Sequence, residues 1–215
     1  KRSDINYIIV NKDYFEVNWD KLDFPEIIIH IPGEHILFDA KLSYIVWHMI
    51  GISDISILNT LEEYSWVWRR MEQVWKTKHW NLLMSDYGHH PTEVTTTLKA
   101  LKSGYSDKKL FVIFQPHQYS RTIELLEWFK TCFSYADTLI IPDIYESRDT
   151  DENKAKMSTQ ILVDAIEHNT VINGHWMNNT LTSVEQYDSK HPNSSIILLL
   201  GAGSIDNLRY KIKTS

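Results

Sequence analysis

Two stretches of the chain crowd proton-holding and anion-holding groups beside residues that shape turns. They are Ser85-Asp86-Tyr87-Gly88-His89-His90-Pro91-Thr92-Glu93 and Phe114-Gln115-Pro116-His117-Gln118-Tyr119-Ser120-Arg121-Thr122. In the first, an acid, a phenol and two imidazoles precede Pro91, which opens a helix where its missing N–H costs nothing. Zinc fits this set poorly, because adjacent loop histidines do not easily face one metal and no Cys lies nearby; no residue is assigned to a metal. The alternative is a hydrogen-bonded turn in which Asp86 holds backbone amides. In the second stretch Arg121 falls in the first turn of a helix starting near Ser120, where free N–H groups already attract anions. A cation there is unfavourable for the helix itself. Arg121 therefore reads either as facing an anion or as a surface arginine paired with Glu124 or Asp86. Gly201-Ala202-Gly203-Ser204 forms a third candidate. Its glycines would let the backbone approach a ligand, or would simply make a tight turn.

The elements around these stretches explain their placement. From about residue 66, apolar runs at 80–86, 109–115, 137–142, 170–173 and 195–200 alternate with helical stretches at 91–103, 120–134, 157–168 and 178–188, with a short one after 203. Such alternation predicts βαβ units and a Rossmann-like domain with a mostly parallel sheet. All three candidate stretches then follow strands, and ligands of open α/β sheets bind beyond the strands' carboxyl ends. The polar segment 143–157 reads as an exposed loop. Before residue 66 the pattern differs. Runs 5–10 and 14–19 around Asn11-Lys12-Asp13 predict a hairpin, and 26–31 a further strand ending at Pro32-Gly33. A helix over 36–50 ends at Gly51, and Asp54 caps a second over 55–64. The expected boundary lies at 66/67. The first part reads as an α/β domain of strands then two helices, without a full sheet of its own.

Composition narrows the classes. The chain has 215 residues, and its formal charge of −6 disfavours binding to nucleic acid. No apolar run approaches the ~18 residues of a membrane span, and no signal peptide is expected. The single Cys132 excludes an intramolecular disulfide and fits a reducing cytosol. The chain starts at Lys1 rather than Met, so its true N-terminus is expected upstream.

Taken in order, DYGHHPTE, FQPHQYSRT, the DIY of Asp143-Ile144-Tyr145 and the terminal GAG resemble the C-terminal domain of the Mur ligase family, in the branch that joins L-alanine to UDP-N-acetylmuramate. Upstream, Pro32-Gly33-Glu34-His35 with Asp39-Ala40 is similar to the family's PG-x-HN…NA stretch, and Trp68-Arg69-Arg70-Met71-Glu72 resembles its GVKRRFE junction. The resemblance implies a cytoplasmic enzyme of peptidoglycan synthesis. In it, ATP with Mg²⁺ converts the muramyl carboxylate to an acyl phosphate, and the amine of L-alanine displaces phosphate. It places residues 1–66 at the end of a central ATP-binding domain and 67–215 in the C-terminal domain. It implies nucleotide contacts from His35, Asp39, Arg70 and Asp86. Tyr87, His89, His117 and Arg121 fall on the amino-acid side, with Arg121 as carboxylate clamp. The pattern departs at Ile36, Asp39, Ser85, Gln118 and Ser204. An Asp accepts from adenine N6 but cannot donate to N7, which weakens the adenine reading at Asp39. No G-x-x-x-x-G-K-[ST] phosphate loop occurs in these residues; ATP and Mg²⁺ would be held mainly upstream, and this chain alone is expected to be inactive. Two alternatives stand beside this reading: a non-catalytic binding module of the same fold, and the related ligase that recycles a tripeptide.

Overall fold

The computed structural model describes residues 8–65, 67–175 and 177–212. The chain divides into two compact units, Lys1–Ser65 and Trp66–Ser215.

The first unit opens on an antiparallel meander, β1 (Ile8–Val10), β2 (Tyr14–Val17) and β3 (Asp20–Asp23). The predicted hairpin is present from Ile8 onward; its residues 5–7 lie outside the described residues. The strand expected at 26–31 is not formed. Instead Asn18 and Trp19, with φ of 49° and 76°, reverse the chain in two residues and bring β3 onto β2. Positive φ at both central residues suits the twist of a tight hairpin. Residues 26–31 lie between two prolines, Pro25 and Pro32, which lack N–H donors. Helix α1 (Glu34–Met49) ends as expected: Gly51 N–H bonds His48 O at 3.0 Å and Ile52 N–H bonds Trp47 O at 3.1 Å, with Gly51 at φ 92°. These two bonds satisfy the helix's last carbonyls in a Schellman motif. Helix α2 (Asp54–Glu63) is capped by Ser53, not by Asp54. Asp54 is drawn instead to His48 Nδ1 at 2.8 Å. Phe15, Tyr44, Ile45 and Ile57 form this unit's core.

The second unit is a six-stranded sheet in the order β4-β5-β9-β6-β7-β8: β4 (Glu72–Lys76), β5 (Leu82–Asp86), β6 (Lys109–Phe114), β7 (Thr138–Pro142), β8 (Val171–His175) and β9 (Ser195–Leu200). All neighbours pair in parallel except β4, an antiparallel edge strand that the sequence pattern did not reveal. Between them run α3 (Pro91–Gly104), α4 (Tyr119–Glu124), α5 (Leu126–Phe129), α6 (Asp151–Lys156), α7 (Thr159–Ala165) and α8 (Met177–Lys190). A 3₁₀ turn over Ser204–Tyr210 follows β9. Central β9 is buried throughout its six residues, as expected of a parallel strand covered on both faces. Leu83, Phe111, Ile113, Ile197 and Leu199 pack with Val184, Ile205 and Leu208 on one face. On the other, the Phe114 ring meets Phe129 and Phe133 at 5.5 and 5.1 Å. Two expectations change here. The single helix over 120–134 breaks at Leu125 into α4 and α5, and the loop 143–157 contains α6, capped by Thr150. No helix among the described residues is long and apolar enough to cross a membrane.

Candidate functional site

The carboxyl ends of β5 and β6 flank that of β9, so the loops after Asp86, Phe114 and Leu200 emerge side by side. This convergence brings Tyr87, His89, His117 and Arg121 into one region.

Asp86 builds the first loop. It is 5% exposed, and it accepts from Met71 N and Gly88 N, both at 2.8 Å, and from Thr97 Oγ1 at 3.4 Å. A buried carboxylate must find such donors. The structure thus gives Asp86 the turn-holding role, with its oxygens directed inward rather than toward an open face. The two adjacent histidines part company. His90 caps α3, its Nδ1 accepting from Thr92 N at 3.2 Å, and Glu93 Oε2 accepts from the backbone N–H of His89 and His90 at 2.9 Å each. This capping box turns His90 toward Trp128, edge to face at 5.7 Å. Burial pushes the Glu93 carboxyl up, yet the two N–H groups hold it below its usual range. His89 is left on the site side. Its ring centroid lies 5.7 Å from Tyr87 and 6.0 Å from His117.

His117 stacks on Tyr145 at 5.2 Å and 24°. Its Nδ1 is buried without a hydrogen-bond partner among the described residues. Burial depresses the His117 pKa, and the neighbouring His89 and Arg121 depress it further against the opposing charge of Asp149, which together favour the neutral ring. Arg121 is partly buried and makes no ion pair among the described residues, so the expected pairing alternatives, Glu124 and Asp86, are not realised. The free helix amides expected beside Arg121 are taken. Asp149 Oδ1 accepts from Ser120 N at 3.0 Å, and Tyr119 N–H also bonds this carboxylate. The anion-attracting end of α4 is therefore already filled from within.

The glycine turn packs rather than opens. A Cβ on Gly201, at φ 140°, would meet Gln115 O at 2.6 Å, and one on Gly203 would meet Gln115 Oε1 and Tyr145 at 2.7 Å. Gln115 is buried and accepts from Ile205 N at 2.8 Å. Arg69 lies beneath, donating to Gly201 O and to Gly203 O, with its guanidinium 4.8 Å from the Tyr87 ring. Arg70 is exposed, its guanidinium 5.6 Å from the same ring. Ser85 donates to Asp206 Oδ1 at 2.5 Å, and Arg209 bonds both Asp206 and Glu72. In the first unit, His35 and Asp39 lie one turn apart on α1, His35 half-buried and Asp39 exposed.

Sequence reasoning missed Tyr145 as a ring partner, Arg69 as the buried member of its pair, and Asp149. Tyr145 and Asp149 come from the loop after β7, which hydropathy marks only as polar.

Residues 69–203 match the family model described as Mur ligase, glutamate ligase domain. A UDP-N-acetylmuramate–L-alanine ligase from Hydrogenobaculum sp. (strain Y04AAS1) is 33% identical over 202 residues, 92% of this chain and 43% of that protein. The enzyme of that name from Pelodictyon phaeoclathratiforme is 28% identical over 195 residues, 88% of this chain and 40% of that protein. The crystal structure of UDP-N-acetylmuramate-alanine ligase from Thermotoga maritima shares the fold with a TM-score of 0.67 at 19% identity, covering 96% of this chain and 44% of that one. The chain thus spans about two-fifths of the length of the curated relatives it matches.

Proposed function

This chain belongs to the Mur ligase family, and from that premise we propose that it forms the amino-acid side of an ATP-dependent, cytoplasmic ligase that joins L-alanine to UDP-N-acetylmuramate in peptidoglycan precursor synthesis. A carboxylate is a poor acyl donor until its oxygen leaves as phosphate; the amine then attacks, the amide forms and phosphate departs. ATP supplies that phosphoryl group, and Mg²⁺ would offset its charge. Among the described residues no three His, Cys, Asp or Glu side chains converge on a cation. The described residues therefore offer no three-ligand cation site of their own.

What the chain supplies is a grip on the incoming amino acid. Arg121 carries the reading: a partly buried guanidinium with no ion pair among the described residues, beside an imidazole whose neutral form is favoured. A guanidinium takes a carboxylate in two parallel hydrogen bonds. A neutral His117, with His89 next to it, can accept a hydrogen bond from the N–H of the free amine, the form that attacks once the ammonium has given its proton to solvent. Tyr87 walls the same space. On the nucleotide side we assign His35 and Asp39 to the base and Arg70 to the nucleotide; Asp86 serves by holding Met71 and Gly88 in place.

Steady-state kinetics of the intact ligase tests this. A charge-assisted hydrogen bond contributes ~1.5–3 kcal/mol, so Arg121→Ala should reduce alanine use by roughly 10–150-fold, and Arg121→Lys should recover only part. The KM values for ATP and for the UDP-sugar should stay unchanged. Loss of ATP binding with alanine use intact would overturn the assignment.

A further inference from the structure

The loop after β7 does more than connect. Tyr145 N–H bonds Pro116 O at 2.8 Å, and Gln118 N–H bonds Tyr145 O at 2.9 Å, so residues 145–149 run as a parallel strap beside 116–120. Gln118 Nε2 then donates to Ser147 O at 2.8 Å. The strap closes at Asp149, whose carboxylate accepts from Ser120 N at 3.0 Å, from Tyr119 N, and from Ser147 N at 3.3 Å. Burial would raise the Asp149 pKa, but these N–H donors outweigh it and hold the group ionised.

The strap encloses a strained joint. Gln118 has φ 72°, a left-handed conformation that disfavours any side chain other than glycine's. This joint lies between His117 on one side and Arg121 on the other, so its torsion sets the direction of one group relative to the other. A non-glycine residue keeps such a conformation only when its surroundings over-determine it. Here those surroundings are the two backbone bonds of the strap, the Gln118–Ser147 bond and the Asp149 cap. The same cap occupies the amides of α4, leaving Arg121 as the group by which this region would hold an anion.

We propose that Asp149 is a positioning residue for the amino-acid substrate: by tying the strap to the start of α4, it fixes Arg121 against His117 without touching the substrate. This inference rests on the amino-acid reading of the site given above. Its test is Asp149→Ala in the intact ligase, with kinetics and amide hydrogen exchange measured on the same protein. Loss of a capping acceptor predicts faster exchange at Tyr119, Ser120 and Ser147 and a roughly three- to thirtyfold rise in the alanine KM, with the ATP KM unchanged. Asp149→Asn keeps an oxygen that accepts from the amides, and should return both readouts to within about twofold of the parent, since Asn and Asp cap about equally well. Should Asp149→Ala fail to fold, Asp149→Ser carries the test, its hydroxyl being unable to accept from all three amides at once, with the same two readouts deciding. Faster exchange with an unchanged alanine KM would make Asp149 merely structural and overturn the proposal; unchanged exchange would overturn it as well. Arg121→Ala measured alongside separates the two readings. If it too leaves the alanine KM unmoved, the site assignment itself fails. If Arg121→Ala raises that KM and Asp149→Ala does not, only the strap is wrong.

Discussion

At the amino ends of the sheet, Asn81 Oδ1 accepts from Ser194 N and Ser195 N at 3.0 and 2.8 Å, while Asn81 Nδ2 and the Thr77 hydroxyl both donate to the buried Asp188. Nearby, Asp137 accepts from Lys102 at 2.6 Å, from Lys109 at 3.0 Å and from Leu110 N at 2.9 Å. At the carboxyl ends of the same strands, His117 Nδ1 is buried with no partner among the described residues, and Arg121 has no ion pair among them. Both ends are rich in polar side chains. The Asp188 and Asp137 networks are satisfied internally, although Trp75 Nε1 on β4, paired with Leu83, is also buried without a partner among the described residues, whereas His117 and Arg121 at the other end are not satisfied. Buried polar groups left without partners are costly; where they gather beside a neutral imidazole at strand ends, the cost points to a ligand that completes them. The complete Asp188 and Asp137 networks should govern stability, and the incomplete His117–Arg121 group should govern binding.

Substitutions at the two ends can break that contrast. The largest effect is expected at Asp188→Ala, which leaves the Thr77 hydroxyl and the Asn81 amide without their acceptor. It should destabilise the second unit by about 3 kcal/mol, read as a shift in the urea unfolding midpoint. A loss below about 1 kcal/mol would mean that the network is replaced by water and is not structural. A smaller effect is expected at Asp137, whose lysine partners and Leu110 N–H, working against burial, bring its pKa from 3.8 to about 2. Because the folded value is the lower one, this stabilisation is complete above about pH 4 and is lost as the pH falls through 2. Asp137→Asn should cost about 1 kcal/mol at pH 7, discounted for its partial exposure, and should flatten the acid limb of unfolding between pH 4 and 2. An unchanged acid limb would remove Asp137 from the stabilising set. The smallest effect sharpens the comparison from the other side: Arg121→Ala should change stability by less than about 0.5 kcal/mol despite its large expected effect on alanine use. A stability loss above 1 kcal/mol would place Arg121 with the structural groups.

Much of the second unit was legible in the sequence because a parallel strand buried on both faces must be apolar along its whole length. Ser195–Leu200 and Lys109–Phe114 show this directly. Edge strand β4 was not legible: Glu72-Gln73-Val74-Trp75-Lys76 alternates weakly and carries a register shift between Gln73 and Trp75. Helix α6 had a readable signal that its polarity concealed. Thr150 caps it, Asp151 and Glu152 lie in its first turn and Lys154 and Lys156 in its last, matching the helix dipole. The break at Leu125 is marked by neither glycine nor proline, and nothing in the local sequence announces it.

The candidate site divides in the same way. The sequence by itself determined that Tyr87, His89, His117 and Arg121 follow strands of a parallel sheet, because strand–helix alternation places all such loops at one end. It also determined which chemistry those side chains carry. It did not determine which of two adjacent histidines faces the site; that choice depends on His90 entering the cap of α3 while His89 remains beside His117. Nor did it show that Asp149 would close the amides of Tyr119 and Ser120. Such contacts join loops from different strands. They form only once the strand order β5-β9-β6-β7 has set those loops side by side, and no local pattern of residue types encodes that order.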